Sequence, residues 1–334
     1  MNDKIGLSVQ YPVFGHPAKA VDIRAKWFTV LYAEIRKIVN ASFLRLYYLP
    51  VNRLTHPVYR AQLRFLRKPG AVLHIVTNMH SFLLRARVPN PTVVTCFDTD
   101  IKETLPPLCL ADRVIVCSAY VRDRLAEELA LDREPATIYL APPPNYGPGE
   151  GERRRDQILF VGTEQRRKNV PGLFEIFAKV LARRPAELVK VGPPSAERHR
   201  LKKLEEHLGI AGRVVWRDRV SESELLELYR TATVAVVPSL AEGFSMPCVE
   251  AMACGCPLVA SAVTAIPEIV GTGGTLLPPL DHDAWAEEIV RIIDDESHAR
   301  SLANRGLERA KVFSAVRSAR QTVAVYEELW NSKT

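Results

Sequence analysis

Short apolar runs alternate with helix-period segments along the chain, and the alternation is most regular after residue 156. QILFVG (157–162), ELVKVG (187–192), RVVW (213–216), VAVVP (234–238) and PLVAS (257–261) predict strands, with amphipathic stretches between them. Each run is too apolar for a strand with one wet face, which predicts a parallel sheet covered by helices on both sides. The first half repeats the pattern in IGLSV (5–9), AVLHIV (71–76), TVVTCF (92–97), DRVIVCS (112–118) and TIYLAP (137–142). Between the halves, APPPNYGPGEGERRRD (141–156) combines Pro, Gly and charge and cannot continue a helix or a sheet interior. The pattern predicts an α/β protein of two doubly wound domains, 1–145 and 157–314, joined by a linker at 146–156. Ligands of such sheets bind beyond the carboxyl ends of the strands, so the expected site is a cleft between the domains.

Two further segments carry helical periodicity. From Trp27 to Val39, the residues Trp27, Phe28, Leu31, Ile35, Ile38 and Val39 fall on one side of a helical wheel, with Lys26, Arg36 and Lys37 elsewhere. Near the other end, Val316, Ala319, Val323, Tyr326 and Trp330 are spaced by threes and fours. A final helix at about 315–334 therefore packs one face; the pattern does not say on which domain, and a return to the first is one option.

Composition changes the picture chiefly through charge. The chain has 334 residues, 47% hydrophobic and 25% charged, as expected of a globular protein long enough for two domains. No apolar run reaches about 18 residues, and MNDKIGLSVQYP lacks the regions of a signal peptide, so a cytoplasmic location is expected. Six cysteines form no CxxC pair and sit near no His at zinc spacing, which excludes a disulfide framework and a zinc site as readings. Residues 1–90 hold 14 Lys/Arg against three acids, +11 of a total of +7, which leaves −4 for the rest. The basic residues between 19 and 68, among them Arg53, Arg60, Arg64, Arg67 and Lys68, predict contact with an anionic membrane surface or a lipid-phosphate acceptor. Nucleic acid is not an expected partner, because the nearby aromatics take core and stripe positions rather than a stacking face.

Chemistry gathers at the strand ends of the second half. After ILFVG, the loop TEQRRKN carries Arg166, Arg167 and Lys168 ahead of a helix with Pro171 in its first turn. Cations and unpaired N–H groups at a strand-to-helix turn favour an anion such as a diphosphate. The next such turn, EGFSMPCVEAMACGCP (242–257), places Glu242 in a loop and Glu250 eight positions on. Pro247 is expected to start the helix, Gly255 to stop it, and Gly243 to let the backbone approach a ligand. Both acids are expected to face the crevice on either side of a phosphate cradle. A carboxylate grips vicinal hydroxyls well, whereas a glycosidase pair needs both acids on one bond with no phosphate site between.

PSLAEGFSMPCVEAMACGCPLVASAVTAIPEIVG (238–271) closely resembles the signature of the retaining family 4 glycosyltransferases (glycosyl transferases group 1), which have the two-domain GT-B fold of Rossmann-like domains. FVGTEQRRKN resembles that family's phosphate loop, and 111–125 and 219–239 also fit, so the resemblance covers most of 92–330. It implies an enzyme that moves a hexose, mannose-like or glucose-like, from a nucleoside-diphosphate sugar to a glycan or lipid-linked acceptor with retention. It also implies that Glu242, Arg167 and Lys168 are catalytic and that Glu250 holds the donor ribose. Gly162, Thr163, Gly243, Phe244, Ser245 and Met246 would line the donor. No cofactor or metal is implied, the leaving diphosphate being met by the cations.

Two departures concern the acceptor side. Phe97 stands where family members often carry a histidine that touches the donor sugar, with His80 and Asp98 as candidates to replace part of its role. The usual glycine-rich loop after the first strand is missing, and QYPVFGHPAKA offers only Gly15. These departures keep two alternatives open, a glycosyltransferase-like binding or scaffold protein and a GT-B enzyme of another class, such as a nucleotide-sugar epimerase. Base, sugar and acceptor are beyond the pattern.

Overall fold

The computed structural model describes residues 5–14, 23–46, 56–100, 102–150, 153–154 and 156–333. Lys19, Gly15, Tyr47, Tyr48 and Arg53, and the side chains of Lys26 and Trp27, lie outside the described residues. The chain forms two compact units, Met1–Pro143 with Phe313–Thr334, and Pro144–Val312.

The first unit holds strands β1 (Ile5–Phe14), β2 (Val39–Leu46), β3 (Val72–Ile75), β4 (Thr92–Cys96), β5 (Arg113–Val116) and β6 (Ala136–Thr137) in one parallel sheet of order β2-β1-β3-β4-β5-β6. Helices α1 (Ile23–Ile38), α2 (His56–Leu66) and α3 (Ala119–Glu128) connect them, with a 3₁₀ segment at Asn78–Ala86. Two boundaries differ from the sequence pattern. Val39 ends no helix but opens β2, an edge strand whose exposed Asn40 and Ser42 interrupt the apolar run. TIYLAP contributes only its start to a strand, although the Ile138 N–H still donates to Val116 O at 2.9 Å.

The last helix, α11 (Ala315–Lys333), packs against α1 within this unit. Its Tyr326 hydroxyl lies 2.6 Å from His74 Nδ1 and 3.1 Å from the Tyr11 hydroxyl, and His74 Nε2 lies 2.8 Å from Thr95 Oγ1. All four side chains are buried, so this chain of polar groups satisfies itself internally. Burial pushes the His74 imidazole down to about 3, which keeps it neutral.

The second unit holds β7 (Gln157–Val161), β8 (Glu187–Val191), β9 (Val214–Arg217), β10 (Val234–Val237), β11 (Leu258–Ser261) and β12 (Thr275–Leu277), parallel in the order β12-β11-β10-β7-β8-β9. The connecting helices are α4 (Val170–Leu181), α5 (Arg198–His207), α6 (Glu222–Thr231), α7 (Met246–Ala253), α8 (Ile266–Val270), α9 (His282–Asp294) and α10 (Glu296–Ala310). Strand residues Ile158 and Phe160, helix residues Phe174 and Phe177, and Trp285 of α9 share one core. Ser221 and Glu224 form a reciprocal capping box that starts α6. The proline-rich segment after residue 143 lies along this unit: Arg230 Nε donates to Gly147 O at 2.8 Å, and Arg153 Nη1 to Ala232 O at 2.8 Å.

Candidate active site

The order of the second sheet decides what meets at its carboxyl edge. β7 is the first strand of the unit, and its neighbours β8 and β10 lead away from it in opposite directions, so β7 and β10 flank the point where strand order reverses. Loops there diverge and leave a crevice for ligands. The loop after β7 carries Arg167 and Lys168; the loop after β10 carries Glu242. Adjacency of the two strands therefore brings residues about 75 positions apart into contact.

The contact is an ion-pair cluster. Lys168 Nζ donates to Glu242 Oε1 at 2.5 Å and Arg167 Nη1 to Oε2 at 2.8 Å, while Ser239 Oγ donates to Oε1 at 2.8 Å. The Leu240 N–H donates to Arg167 O at 2.7 Å, which ties the two loops through their backbones. Thr264 Oγ1 accepts from the Glu242 N–H at 2.9 Å. The Glu242 side chain is only 5% exposed, against 11% for Lys168 and 31% for Arg167. Burial alone would raise the Glu242 carboxyl, but Lys168 and Arg167 outweigh it and hold the group below the usual carboxylate range. The acid stays ionised, and two cations are held beside it with hydrogens to spare for an incoming anion.

Helix α7 follows this loop and differs slightly from the sequence expectation. It begins at Met246, with Pro247 inside its first turn, because Ser245 takes the left-handed conformation (φ 81°) as its N-cap. It ends in the pairing pattern of a Schellman motif: the Gly255 N–H donates to Met252 O and the Cys256 N–H to Ala251 O, with Gly255 at φ 65°. Glu250 is buried within this helix, and its Oε2 accepts from the Tyr229 hydroxyl of α6 at 2.9 Å. Both acids are buried, Glu242 against two cations and Glu250 against a tyrosine from the preceding helix.

The rest of the predicted donor lining falls on the same loops. Gly162 follows β7 with its N–H on Val191 O at 2.9 Å, and a Cβ there would lie 2.9 Å from the Phe160 ring. Thr163 Oγ1 is buried without a hydrogen-bond partner, a donor that an anion entering the loop would satisfy. Gly243, Phe244, Ser245 and Met246 form the turn into α7, with Phe244 buried and the Ser245 hydroxyl donating to Cys248 Sγ at 3.2 Å.

His80 and Asp98 belong to the first unit and are not part of this cluster. They follow the neighbouring strands β3 and β4 at their carboxyl ends. Burial pushes the His80 imidazole down to about 4. Asn78, which the sequence reading passed over, links the two segments: its Nδ2 donates to Asp98 O at 3.2 Å and to Thr104 Oγ1 at 2.9 Å, and its Oδ1 accepts from the Phe97 N–H at 3.4 Å.

Other contributors were also missed. Ser239, Thr264 and Tyr229 serve the two glutamates, and nothing in their local sequence marks them. Lys190 was detectable: a lysine inside the apolar run ELVKV, on a strand covered on both faces, needs a buried partner. That partner is Glu164, at 3.1 Å.

Comparison with known proteins fits this geometry. Residues 155–295 match the family model described as Glycosyl transferases group 1. An MMP alpha-(1->4)-mannosyltransferase of Mycolicibacterium hassiacum is 38% identical over 190 residues, 55% of this chain and 45% of that protein. A D-inositol 3-phosphate glycosyltransferase of Catenulispora acidiphila is 31% identical over 245 residues, 66% of this chain and 58% of that protein. The chain spans about half the length of the curated relatives it matches. A sucrose-phosphate synthase structure from Thermosynechococcus elongatus superimposes with a TM-score of 0.83 at 21% identity, covering 98% of this chain and all of that one. The fold is that of the GT-B glycosyltransferases.

Proposed function

We propose, for a chain whose residues 155–295 match the glycosyl transferases group 1 model, that it is a retaining hexosyltransferase acting on a nucleoside-diphosphate sugar and a glycan or lipid-linked acceptor. The observation that carries this reading is the cluster of Arg167 and Lys168 on buried Glu242 at the reversal point of the sheet. A hexose in the mannose class is supported by the names of the relatives, two of which are mannosyltransferases.

In this reading the donor diphosphate sits between the loop after β7 and the start of α7. Arg167 and Lys168 turn part of their hydrogen-bonding capacity from Glu242 to the phosphates, with Thr163 Oγ1 as a further donor. As the glycosidic bond breaks, negative charge grows on the leaving phosphate, and the two preplaced cations stabilise it most at that moment. Cations on the protein perform the charge neutralisation, so the reaction as proposed needs no resident metal. Glu242 keeps both cations aimed. Glu250, oriented by Tyr229, accepts hydrogen bonds from the ribose diol. The donor phosphate assists deprotonation of the acceptor on the same face of the sugar, which retains the anomeric configuration.

The membrane belongs to the same proposal. On α2 the side chains of Val58, Phe65 and Leu66 are exposed, Phe65 by 86%, beside the exposed Arg64 and Lys68. Some of the basic cluster also has structural partners: Arg64 Nε donates to Ala86 O at 2.8 Å and Arg67 Nη1 to Asn90 Oδ1 at 2.8 Å. An apolar edge bordered by cations fits an anionic bilayer. Flotation with vesicles containing anionic lipid tests it, and absence of co-flotation overturns it.

The donor assignment is tested by thermal shift against UDP-, GDP- and ADP-linked glucose and mannose, followed by measurement of nucleotide release. One donor is expected to raise the melting temperature and to be hydrolysed slowly without acceptor. No stabilisation by any of them would refute the reading.

A further inference from the structure

A second buried charge cluster lies directly behind the cationic loop. Glu164, two residues past Gly162, is buried, and its two carboxylate oxygens take three hydrogen bonds and one further ion-pair contact. Lys190 Nζ of β8 reaches Oε1 at 3.1 Å, Arg198 Nε of α5 reaches it at 2.7 Å and Arg198 Nη2 at 2.5 Å, and the Ser195 N–H reaches Oε2 at 2.7 Å. Lys190 is wholly buried and also donates to Gly192 O at 2.8 Å. Arg198 is held from outside as well: its guanidinium lies 4.2 Å from the Trp216 ring centroid, and Nη2 lies 2.6 Å from Asp218 Oδ1. None of these contacts involves Arg167, Lys168 or Glu242.

The backbone adds a second fastening at the same place. Gly192 has φ 133°, and a Cβ on it would stand 2.3 Å from Gly162 O, so the chain after β8 presses against the chain after β7. Gly162 and Glu164 are thus fixed from below, by close backbone packing and by donors on β8, on the segment leading into α5 and on the first residue of α5. Arg167 and Lys168 follow within four residues, on a short 3₁₀ turn (Arg166–Lys168) that is also tied to the loop after β10 and runs through Asn169 into α4.

We infer that Glu164 is a positioning residue: with Lys190 and Arg198 it clamps the loop that carries Arg167 and Lys168, and so sets where those cations stand when a diphosphate arrives. The inference rests on the donor-site reading given above. Its physical basis is the cost of misplacement, since a cation displaced by about 1 Å from a transition state loses up to about 10² in rate. A buried carboxylate held by donors from three residues restrains the loop attached to it.

The test removes the clamp without stranding a charge. Glu164→Gln alone leaves the wholly buried Lys190 without its counter-charge, so it is combined with Lys190→Met, which deletes both members of the pair at similar volume; Arg198→Gln is the second variant. Hydrogen exchange of the full chain is read over residues 162–169, together with kcat and KM for the donor. The clamp predicts exchange at 163–168 faster by about tenfold or more, with α4 and β8 unchanged, and kcat lower by about tenfold with little change in KM. In a Lys168→Ala background the same pair of substitutions should cost less kcat than in the wild type, because part of the effect runs through that lysine and the rest through Arg167. Unchanged loop exchange in both variants overturns the clamp, and so does a kcat loss that adds in full to that of Lys168→Ala. If the wild-type chain releases nucleotide from no donor, the donor reading fails instead, while loop exchange still decides whether Glu164 holds the loop.

Discussion

Lys168→Ala removes the more buried of the two cations on Glu242 and leaves the other contacts of that acid in place. Arg167 and Ser239 stay at 2.8 Å from its oxygens, so the carboxylate remains ionised and partly paired. The structural cost is one charge-assisted hydrogen bond, about 1.5–3 kcal/mol, which for a unit of this size lowers the melting temperature by roughly 3–10 °C. The catalytic cost is of a different kind. Lys168 stands preplaced and 11% exposed, so no solvent reorganisation is needed when charge develops on the leaving diphosphate. Loss of one such donor is worth about 2.7–4 kcal/mol of transition-state stabilisation, a fall in kcat of about 10² to 10³. The assay is initial-rate nucleotide release at saturating donor and acceptor, run well below the variant's melting temperature. Donor KM should change by less than the rate. A folded variant that keeps wild-type kcat would refute the assignment of Lys168, and with it the cluster as the diphosphate site.

Three further outcomes are expected. Tyr229→Phe leaves Glu250 without its 2.9 Å donor and should raise donor KM by about tenfold, the worth of about one hydrogen bond, with kcat little affected; unchanged KM would separate Glu250 from donor binding. The folded Glu242 carboxyl is depressed, so its contribution to stability is complete above the ordinary glutamate value of about 4.3 and is lost as pH falls through the lower folded value. Melting temperatures from pH 8 to 3 should show wild type losing part of its advantage over Glu242→Gln only below about pH 4.5, and parallel curves would contradict this. Tyr326→Phe deprives His74 and Tyr11 of a shared buried partner and should destabilise the first unit by about 1–3 kcal/mol in denaturant melts, an effect of nil contradicting the polar chain as a fastening of α11.

The fold was readable where apolar runs are continuous, because strands covered on both faces carry an uninterrupted signal. It was less readable at the sheet edges. β2 was not foreseen, and its first residue, Val39, was counted with the preceding helix, because exposed Asn40 and Ser42 interrupt the apolar run; the three residues of β12 are too few to show a period. At the site, the local features were legible: an anion-favouring turn after β7, an acid-bearing turn after β10, a glycine stop at 255. Their combination was not, because the meeting of Arg167 and Lys168 with Glu242 follows from β10 lying next to β7, a fact of sheet order. The same holds for Glu164, whose partners are 26 and 34 positions away, and for Tyr229 on Glu250. The burial of Glu242 was not legible either, because the two cations that neutralise it come from another loop.

The most direct measurement of the central claim is calorimetric titration of UDP-, GDP- and ADP-hexoses into the full chain and into the Arg167→Ala, Lys168→Ala double variant. The account predicts saturable binding of one donor by the wild-type protein and an affinity at least about tenfold weaker in the folded variant, the loss of about 1.4 kcal/mol or more. Equal affinity in both proteins, or no binding of any donor by the wild type, would contradict it.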